Sequence, residues 1–431
     1  MMGDSGGLVN IGKGRQTAGA GLFLLFVSAV LYWLGFSMLR PMLALYFNAA
    51  GLPLAGVGAV MGLHALIPVV LAMPAGQVID RIGPRKSVMA GALIMLFSGG
   101  CYIAGGTLDM LLPMMIGQLF NGTGSLLCWG ALQASVGQIA RAGGDKKRSV
   151  HLLSNFAFIN ALAQFGGPAL GGIFADTGGM VWVFLVFAVL SGIVLLLSPL
   201  LPGAIRLTVR DCEGEGAGIV KPAGTRGKFS FGMRGSYSSG IRLLRDNRPF
   251  GTAMLFNGLL FTLIDIQGTF LPVYLANMGY SPLHVGTLLS AGAVSSIVIR
   301  PLTGFFINRF GHRPMMMGCL WAGGLCLGVL VFEPGYGMIL GVMLVWGMCS
   351  GMNQPMALIL VAHTVPADSQ GMGMSLRTMA NRVVQVVNPL AVGGVSAVVG
   401  LTNSFGFMAL FLVVCSFAMN KKLEERPSAG G

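Results

Sequence analysis

The chain has 431 residues, of which 54% are hydrophobic and only 10% charged, against roughly 25% charged in ordinary globular domains. So little polar cover excludes a water-soluble domain and makes lipid the solvent. The 27 Lys and Arg against 14 Asp and Glu give a net charge of +13, but they are strung between apolar stretches. A nucleic-acid-binding face gathers its cations on one folded surface, and that class is excluded too.

A helix needs about 20 apolar residues to cross a bilayer core. Twelve stretches meet this length, at about 20–48, 56–79, 86–106, 110–138, 149–175, 179–202, 250–278, 283–307, 314–332, 336–364, 371–399 and 402–420. Runs such as LFLLFVSAVLYWLGF are continuous, where a barrel strand would alternate every second residue. The expected fold is an all-α membrane protein of twelve transmembrane helices. It divides into a tail 1–19, a six-helix half 20–202, a linker 203–249, a second six-helix half 250–420 and a tail 421–431. With the N-terminus inside, 26 of the 27 basic residues fall on cytoplasmic segments or helix ends, Arg40 being the exception. That bias places both termini in the cytoplasm of a cell whose inner membrane holds the chain. The first span follows Lys13 and Arg15 but runs past the length of a signal-peptide core, so it reads as an uncleaved span.

Span one carries Arg40 about two-thirds of the way along. Span two contains His64, which alone in a membrane reads as hydrogen-bonded filler rather than a titrating group, and ends in Gly76–Lys86, GQVIDRIGPRK. A second copy, GFFINRFGHRP, stands at Gly304–Pro314 after span eight. In the first copy Gly76 permits close approach of a neighbouring helix, Gly83 permits a turn with φ above zero, and Asp80 is placed to pair with Arg81, Arg85 or a helix N-terminus. Such a cluster either locks one conformer or simply anchors the turn at the membrane face.

Span four offers Asn121 and Trp129 as cavity residues. Span five, FINALAQFGGPALGGIFAD, places Gly166, Gly167, Pro168, Gly171 and Gly172 within one helix. In a soluble host each Gly costs about 1 kcal/mol and Pro about 3, so close packing against neighbours must offset them. Asn160 and Gln164 lie on one face of the same span, and span eleven mirrors them at an offset of 221, Asn160, Gln164 and Pro168 falling on Asn381, Gln385 and Pro389. Arg377 extends that second stripe. Polar stripes of this kind line a cavity or bond neighbouring helices.

The linker 203–249 is polar and rich in Gly and Ser, and its end, GIRLLRDNRPF, has the spacing of a short amphipathic helix on the inner leaflet. Span seven holds Asn257, Asp265 and Gln267; span ten holds Asn353 and Gln354. At an offset of 228 the two halves repeat: Tyr46 falls on Tyr274, Gly51 on Gly279, Val57 on Val285, Gly58 on Gly286, Gly76 on Gly304, Arg81 on Arg309, Gly83 on Gly311 and Arg85 on Arg313. Two parallel repeats place a cavity at their interface near the midplane, alternately exposed as the halves rock. That geometry points to a transporter.

Asp265 is the only carboxylate deep in a span. It lies level with Ser37 by the 228 offset, with Arg40 about one turn away on the opposite half. An unpaired charge here costs at least about 2.5 kcal/mol, so the two are expected to pair across a shared, water-filled cavity between the halves. Burial disfavours the ionised acid and a neighbouring guanidinium favours it, which suits a proton-coupling group; a static ion pair holding the halves is the other reading.

The repeated turn motif, the twelve spans and the central linker together resemble the major facilitator superfamily, whose signature after span two is GxxxDRxGxRK. Gly76, Asp80, Arg81, Gly83, Arg85 and Lys86 match it; the second copy matches at Gly304, Arg309, Gly311 and Arg313, with Asn308 in the acidic place. The resemblance implies a two-fold bundle working by alternating access. GPxLGG at Gly167, Pro168, Gly171 and Gly172 resembles the antiporter motif of its twelve-span drug/proton exporters. Two departures stand out: Gln118 occupies the place of their span-four Arg, and Arg40 stands where they often carry a span-one acid. The expectation is proton-coupled efflux of a small anionic, zwitterionic or amphiphilic compound through a cavity on spans one, four, five, seven, ten and eleven. The alternative is an importer or facilitator of an organic anion or metal-chelating metabolite. Partners are substrate, protons and lipid, for a monomer with no nucleic acid.

No catalytic cluster is present. Five scattered histidines, seven cysteines without ligand spacing and the lack of a GxxxxGK[ST] loop leave no enzyme, metal site, cofactor or nucleotide drive to expect.

Overall fold

A computed structural model describes residues 7–142, 146–202, 240, 242–365 and 370–424. Most of the linker and the Asp80 side chain lie outside the described residues. Twelve long helices follow one another: α1 Gly7–Ala49, α2 Leu54–Ile82, α3 Pro84–Leu108, α4 Leu111–Ala142, α5 Lys146–Gly178, α6 Met180–Leu197, α7 Arg248–Asn277, α8 Pro282–Phe310, α9 His312–Leu330, α10 Tyr336–Thr364, α11 Gln370–Val399 and α12 Leu401–Glu424. A 3₁₀ turn at Arg300–Leu302 interrupts α8. Eleven of these are long and apolar enough to cross a membrane. α4 falls short, and it carries Gln118, Asn121, Gln133 and Gln138. The buried first two of these belong to a helix that faces protein rather than lipid.

The helices form two six-helix halves related by a pseudo-two-fold axis. The turn motifs show the relation in the backbone. Gly83 and Gly311 adopt φ of 86° and 85°, each stopping its helix with an N–H bonded back to Ile79 (3.0 Å) or Ile307 (2.8 Å). Only a residue without Cβ takes this conformation freely, so the glycine of each copy sets the turn.

The same relation governs how the halves meet. α2 packs on α11, α5 on α8, and α1 on α7. A side chain on Gly58 would strike the Pro389 carbonyl, and one on Gly286 would strike the Pro168 carbonyl; Gly393 lies against Leu54 and Ala55, and Gly172 against Pro282 and Leu283. These are the same contacts made twice, displaced by the 228 and 221 offsets. All lie in the part of the bundle remote from the end that bears α1's start and α12's finish. The Gly-Pro stretches cost helix propensity locally and are offset by backbone-to-backbone packing between the halves.

One position breaks the copy. Pro168 bends α5, and Ser290 of α8 enters the bend. Its hydroxyl donates to the Phe165 carbonyl at 2.8 Å and accepts from the Ala169 N–H at 3.1 Å, bonding both ends of one helical step beside the proline. The equivalent of Ser290 in α2 is Gly62, against the Val386 carbonyl, where no hydroxyl is available. Near this remote end Asn48 donates to Asn277 at 3.0 Å across the halves. Replacing Ser290 by Val removes two bonds across the interface. For a net loss of about 1 kcal/mol the ratio of closed to open molecules falls about five-fold. The initial rate of thiol crosslinking between Asn48→Cys and Asn277→Cys is expected to fall accordingly, and an unchanged rate contradicts a closing role for Ser290.

Candidate functional site

The centre of the bundle is built around Asp265. It is fully buried, and its two oxygens are divided between the halves. Oδ1 pairs with Arg40 Nη2, and Oδ2 accepts from Asn388 Nδ2 at 2.7 Å. The same Arg40 nitrogen donates to Thr269 Oγ1 at 3.2 Å, one helical turn beyond Asp265. The guanidinium lies over Gly268, where a Cβ would come into ordinary contact with it, 3.4 Å from Nε. Gly268 is the equivalent of Arg40 itself by the 228 offset, so the pair sits where the pseudo-axis passes.

Arg40 keeps one side open. Its side chain is 20% exposed and forms part of the wall of a small cavity with Phe36, Leu39, Leu43, Met61, His64, Gln118, Asn121 and Gln385. Asp265 does not line this cavity. The expectation that acid and guanidinium face one another across a shared space is corrected here: they are in contact, and the acid stands behind the guanidinium. Burying an acid at this depth is tolerable only with its charge paired, and direct contact supplies that where a water gap would not.

Other candidates separate into groups. Gln385 reaches the cavity, its Oε1 accepting from Arg382 Nη1 at 2.8 Å. Asn381, one turn earlier, accepts from Asn257 Nδ2 at 2.6 Å, and Arg377 is half-buried with an unpartnered Nε. The α11 stripe therefore serves several neighbours rather than one wall. Asn160 is buried with its Oδ1 unpartnered, Gln164 is half-buried, and neither lines the cavity. Gln267 lies against Gly292 of α8; Asn353 is buried and Gln354 exposed.

Trp129 is not a cavity residue. It stacks between Tyr32 at 5.7 Å and Phe156 at 5.8 Å, with Trp33 on edge at 5.0 Å. Tyr32 stacks in turn on Phe36 at 6.0 Å, so an aromatic ladder leads away from the cavity wall. The ring area expected at the cavity is instead spent on neighbouring rings.

In the antiporter-like stretch, Gly167 and Gly171 lie against Ser37, Met38 and Met42 of α1, and Gly172 against α8. In the turn motifs, Arg81, Arg85, Lys86, Asn308 and Arg309 are exposed and Arg313 is half-buried. The close helix approach expected at Gly76 is not made: a Cβ there, or at Gly304, would meet no atom within 4 Å. The closest contacts of the two halves lie at the opposite end, which leaves these glycines without a neighbour in this conformer.

Sequence reasoning missed Asn388 as a partner of Asp265 and Thr269 as a partner of Arg40. Both were within reach of helix periodicity: Thr269 is four residues after Asp265, and Asn388 three after Gln385. His64, set aside as filler, lines the cavity with its Nε2 buried and unpartnered. Gln118, in the place of the exporters' Arg, is satisfied by Tyr102 Oη, which donates to it at 3.2 Å, and lies beside Met61.

A two-half helical bundle with a polar midplane cavity on its axis is the architecture of a membrane transporter. The profile of the Major Facilitator Superfamily matches residues 25–307 and 250–430, and the chain belongs to that superfamily. It is similar to the multi-drug resistance efflux pump PmrA of Streptococcus pneumoniae, 28% identical over 164 residues, or 35% of this chain and 40% of the pump. An uncharacterized MFS-type transporter of Methanocaldococcus jannaschii is 19% identical over 404 residues, 94% of this chain and 98% of that one. Among solved structures, the nucleoside transporter NupG overlays with a TM-score of 0.69 at 15% identity, covering 93% of this chain and 98% of that one, a likeness of fold.

Removing one partner from a buried ion pair leaves the other uncompensated, at about 3–5 kcal/mol. Asp265→Ala is therefore expected to lower thermal stability in detergent strongly, and the joint change Arg40→Met with Asp265→Leu to recover most of the loss. A double variant no more stable than Asp265→Ala would show that the pair is not the main contact at the axis.

Proposed function

We propose that the protein is a secondary transporter of small organic molecules working by alternating access, and that it couples efflux to proton entry. The observation that carries this reading is the division of labour at the axis, where Asp265 is sealed and only Arg40 meets the cavity. The antiporter-like stretch and the similarity to an efflux pump support the direction. With both termini in the cytoplasm, the tight packing of α2 on α11 and α5 on α8 closes the outer end, and the conformer faces inward.

Proton and substrate then compete through Arg40. Protonating Asp265 removes the charge that holds the guanidinium, which is free to swing into the cavity and fill it. Losing the proton draws Arg40 back and restores the space. For a zwitterionic or amphiphilic substrate that does not need Arg40 unpaired, the two occupancies exclude one another, and exchange follows. The Arg40–Asp265 contact also favours a second reading. An anion that takes Arg40 from Asp265 leaves the buried acid without its counter-charge, so anion and proton bind together, and the protein becomes an importer by symport.

The sign of the proton movement decides. In inverted vesicles with an acid lumen, adding a transported substrate outside is expected to make the lumen more alkaline under antiport; further acidification establishes symport. Asp265→Asn is expected to abolish either response while substrate counterflow continues. Unchanged gradient-driven transport in Asp265→Asn removes the acid from the mechanism.

A further inference from the structure

The two halves differ inside as well as across their interface. In the first half α3 and α4 cross backbone to backbone: a Cβ on Gly91 would lie 2.8 Å from the Gly124 carbonyl oxygen, and one on Gly124 would lie 2.8 Å from that of Gly91. The matching helices of the second half are α9 and α10. A shared contact fixes their register, since Ser98 donates to the Gly117 carbonyl at 2.8 Å and Cys326 to the Val342 carbonyl at 3.7 Å, the same bond displaced by 228 residues on one helix and 225 on the other. These offsets carry Gly91 to Cys319 and Gly124 to Cys349. Where one half has bare backbone, the other has two facing thiols.

Cys319 and Cys349 are buried and share a hydrogen bond. A third sulfur completes the group. Cys319 Sγ donates to Met352 Sδ at 3.8 Å, and Met352, three residues after Cys349, lies on the same face of α10. Metal–sulfur bonds of about 2.3 Å arranged in a trigonal plane set the sulfurs about 4 Å apart, so an ion seats among these three with little movement of either helix. Met316, three residues before Cys319, and Met356, four after Met352, are buried too, and their thioethers lead from the thiols toward the start of α9. The donor set decides which ion fits. Thiols and thioethers select soft ions such as Cu(I), whereas zinc closes a structural site with four ligands, and among the described residues no third His, Cys, Asp or Glu joins the two thiols. A net charge within a span costs at least about 2.5 kcal/mol. The neutral combination is one monovalent cation with one thiolate, one thiol and the thioether.

We infer that Cys319, Cys349 and Met352 bind one Cu(I) ion. As the metal bonds to the three sulfurs, one of the two thiols loses its proton to the buffer; the copper stays Cu(I), and no oxidant or reductant takes part. The site joins α9 to α10 within the second half, shares no residue with the Arg40–Asp265 cluster, and stands independently of the transport reading. Its ligands come from two helices, so the spacing of cysteines along the chain does not disclose them.

The test is anaerobic titration of the purified full-length chain in nanodiscs with Cu(I) held by bicinchoninate, whose colour is lost as the protein takes the ion. Uptake of one Cu(I) per chain is expected, with a rise in thermal stability. Cys319→Ser and Cys349→Ser are expected to lower the affinity at least ten-fold, and Met352→Leu, which keeps the side-chain volume and so the packing, to lower it by a smaller factor. Cys326→Ser is expected to leave it unchanged, because that thiol is engaged with the Val342 carbonyl. No uptake against bicinchoninate, an affinity untouched by Cys319→Ser or Cys349→Ser, or an equal loss in Cys326→Ser overturns the inference. Should a serine variant fail to fold, wild-type affinity in Met352→Leu overturns it.

Discussion

One buried acid constrains the centre of the molecule. A carboxylate at this depth must be paired, and Asp265 takes its partners from two helices, Arg40 of α1 and Asn388 of α11, while Thr269 of α7 accepts from the same guanidinium. The contact is made by breaking symmetry at equivalent places. By the repeat offsets, Asp265 replaces Ser37, Arg40 replaces Gly268, and Asn388 replaces Gly167. Each of these three side chains has a small residue in its mirror position. The guanidinium packs over Gly268, while Ser37 and Gly167 close against one another on the other side. A symmetric bundle would bury two acids or none; this one holds a single charge pair on its axis.

The remainder of the interface obeys the symmetry closely. Glycines approach the carbonyls of Pro389 and Pro168 in the same manner, and both approaches lie at one end, so that closing there is a matter of backbone packing with few side chains to rearrange. Interfaces of this kind switch between discrete arrangements rather than deform. The exception at Ser290, whose hydroxyl completes the bent α5, makes the α5–α8 contact more directional than α2–α11, where Gly62 has no group to offer. The two gates are thus alike in shape and unlike in bonding.

Much of this was legible in the chain. Continuous apolar runs give helices whatever the tertiary context, the offsets of 228 and 221 mark positions whose contacts across the interface recur by symmetry, and the scarcity of charge in the spans leaves Asp265 little choice of partner. What failed, failed for reasons of direction. Helix position fixes depth but not which of several inward neighbours a side chain meets, so Trp129 was read as a wall and is a stacked ring, and the α11 stripe was read as one surface and is shared among Asn257, Arg382 and Asp265. His64 was discounted because a lone imidazole carries no pattern. Its weight comes from Asn121 and Arg40, on other helices. Gly76 was read for the contact it permits, and that contact is not made in the conformer described.

The distribution of polarity has a consequence for how such a protein varies. The acid belongs to the second half, the unpartnered cavity groups to the first, and Arg40 is the one residue that touches both. On the proposed reading, coupling passes through the movement of that guanidinium and not through contact between substrate and acid. Changes at His64, Asn121 or Gln118 then alter what is recognised without altering how a proton is held, because none of them bonds to Asp265. The reverse does not hold. A change at Asn388 or Thr269 disturbs the position of Arg40 and with it the cavity wall, so the coupling cluster is the less tolerant of the two.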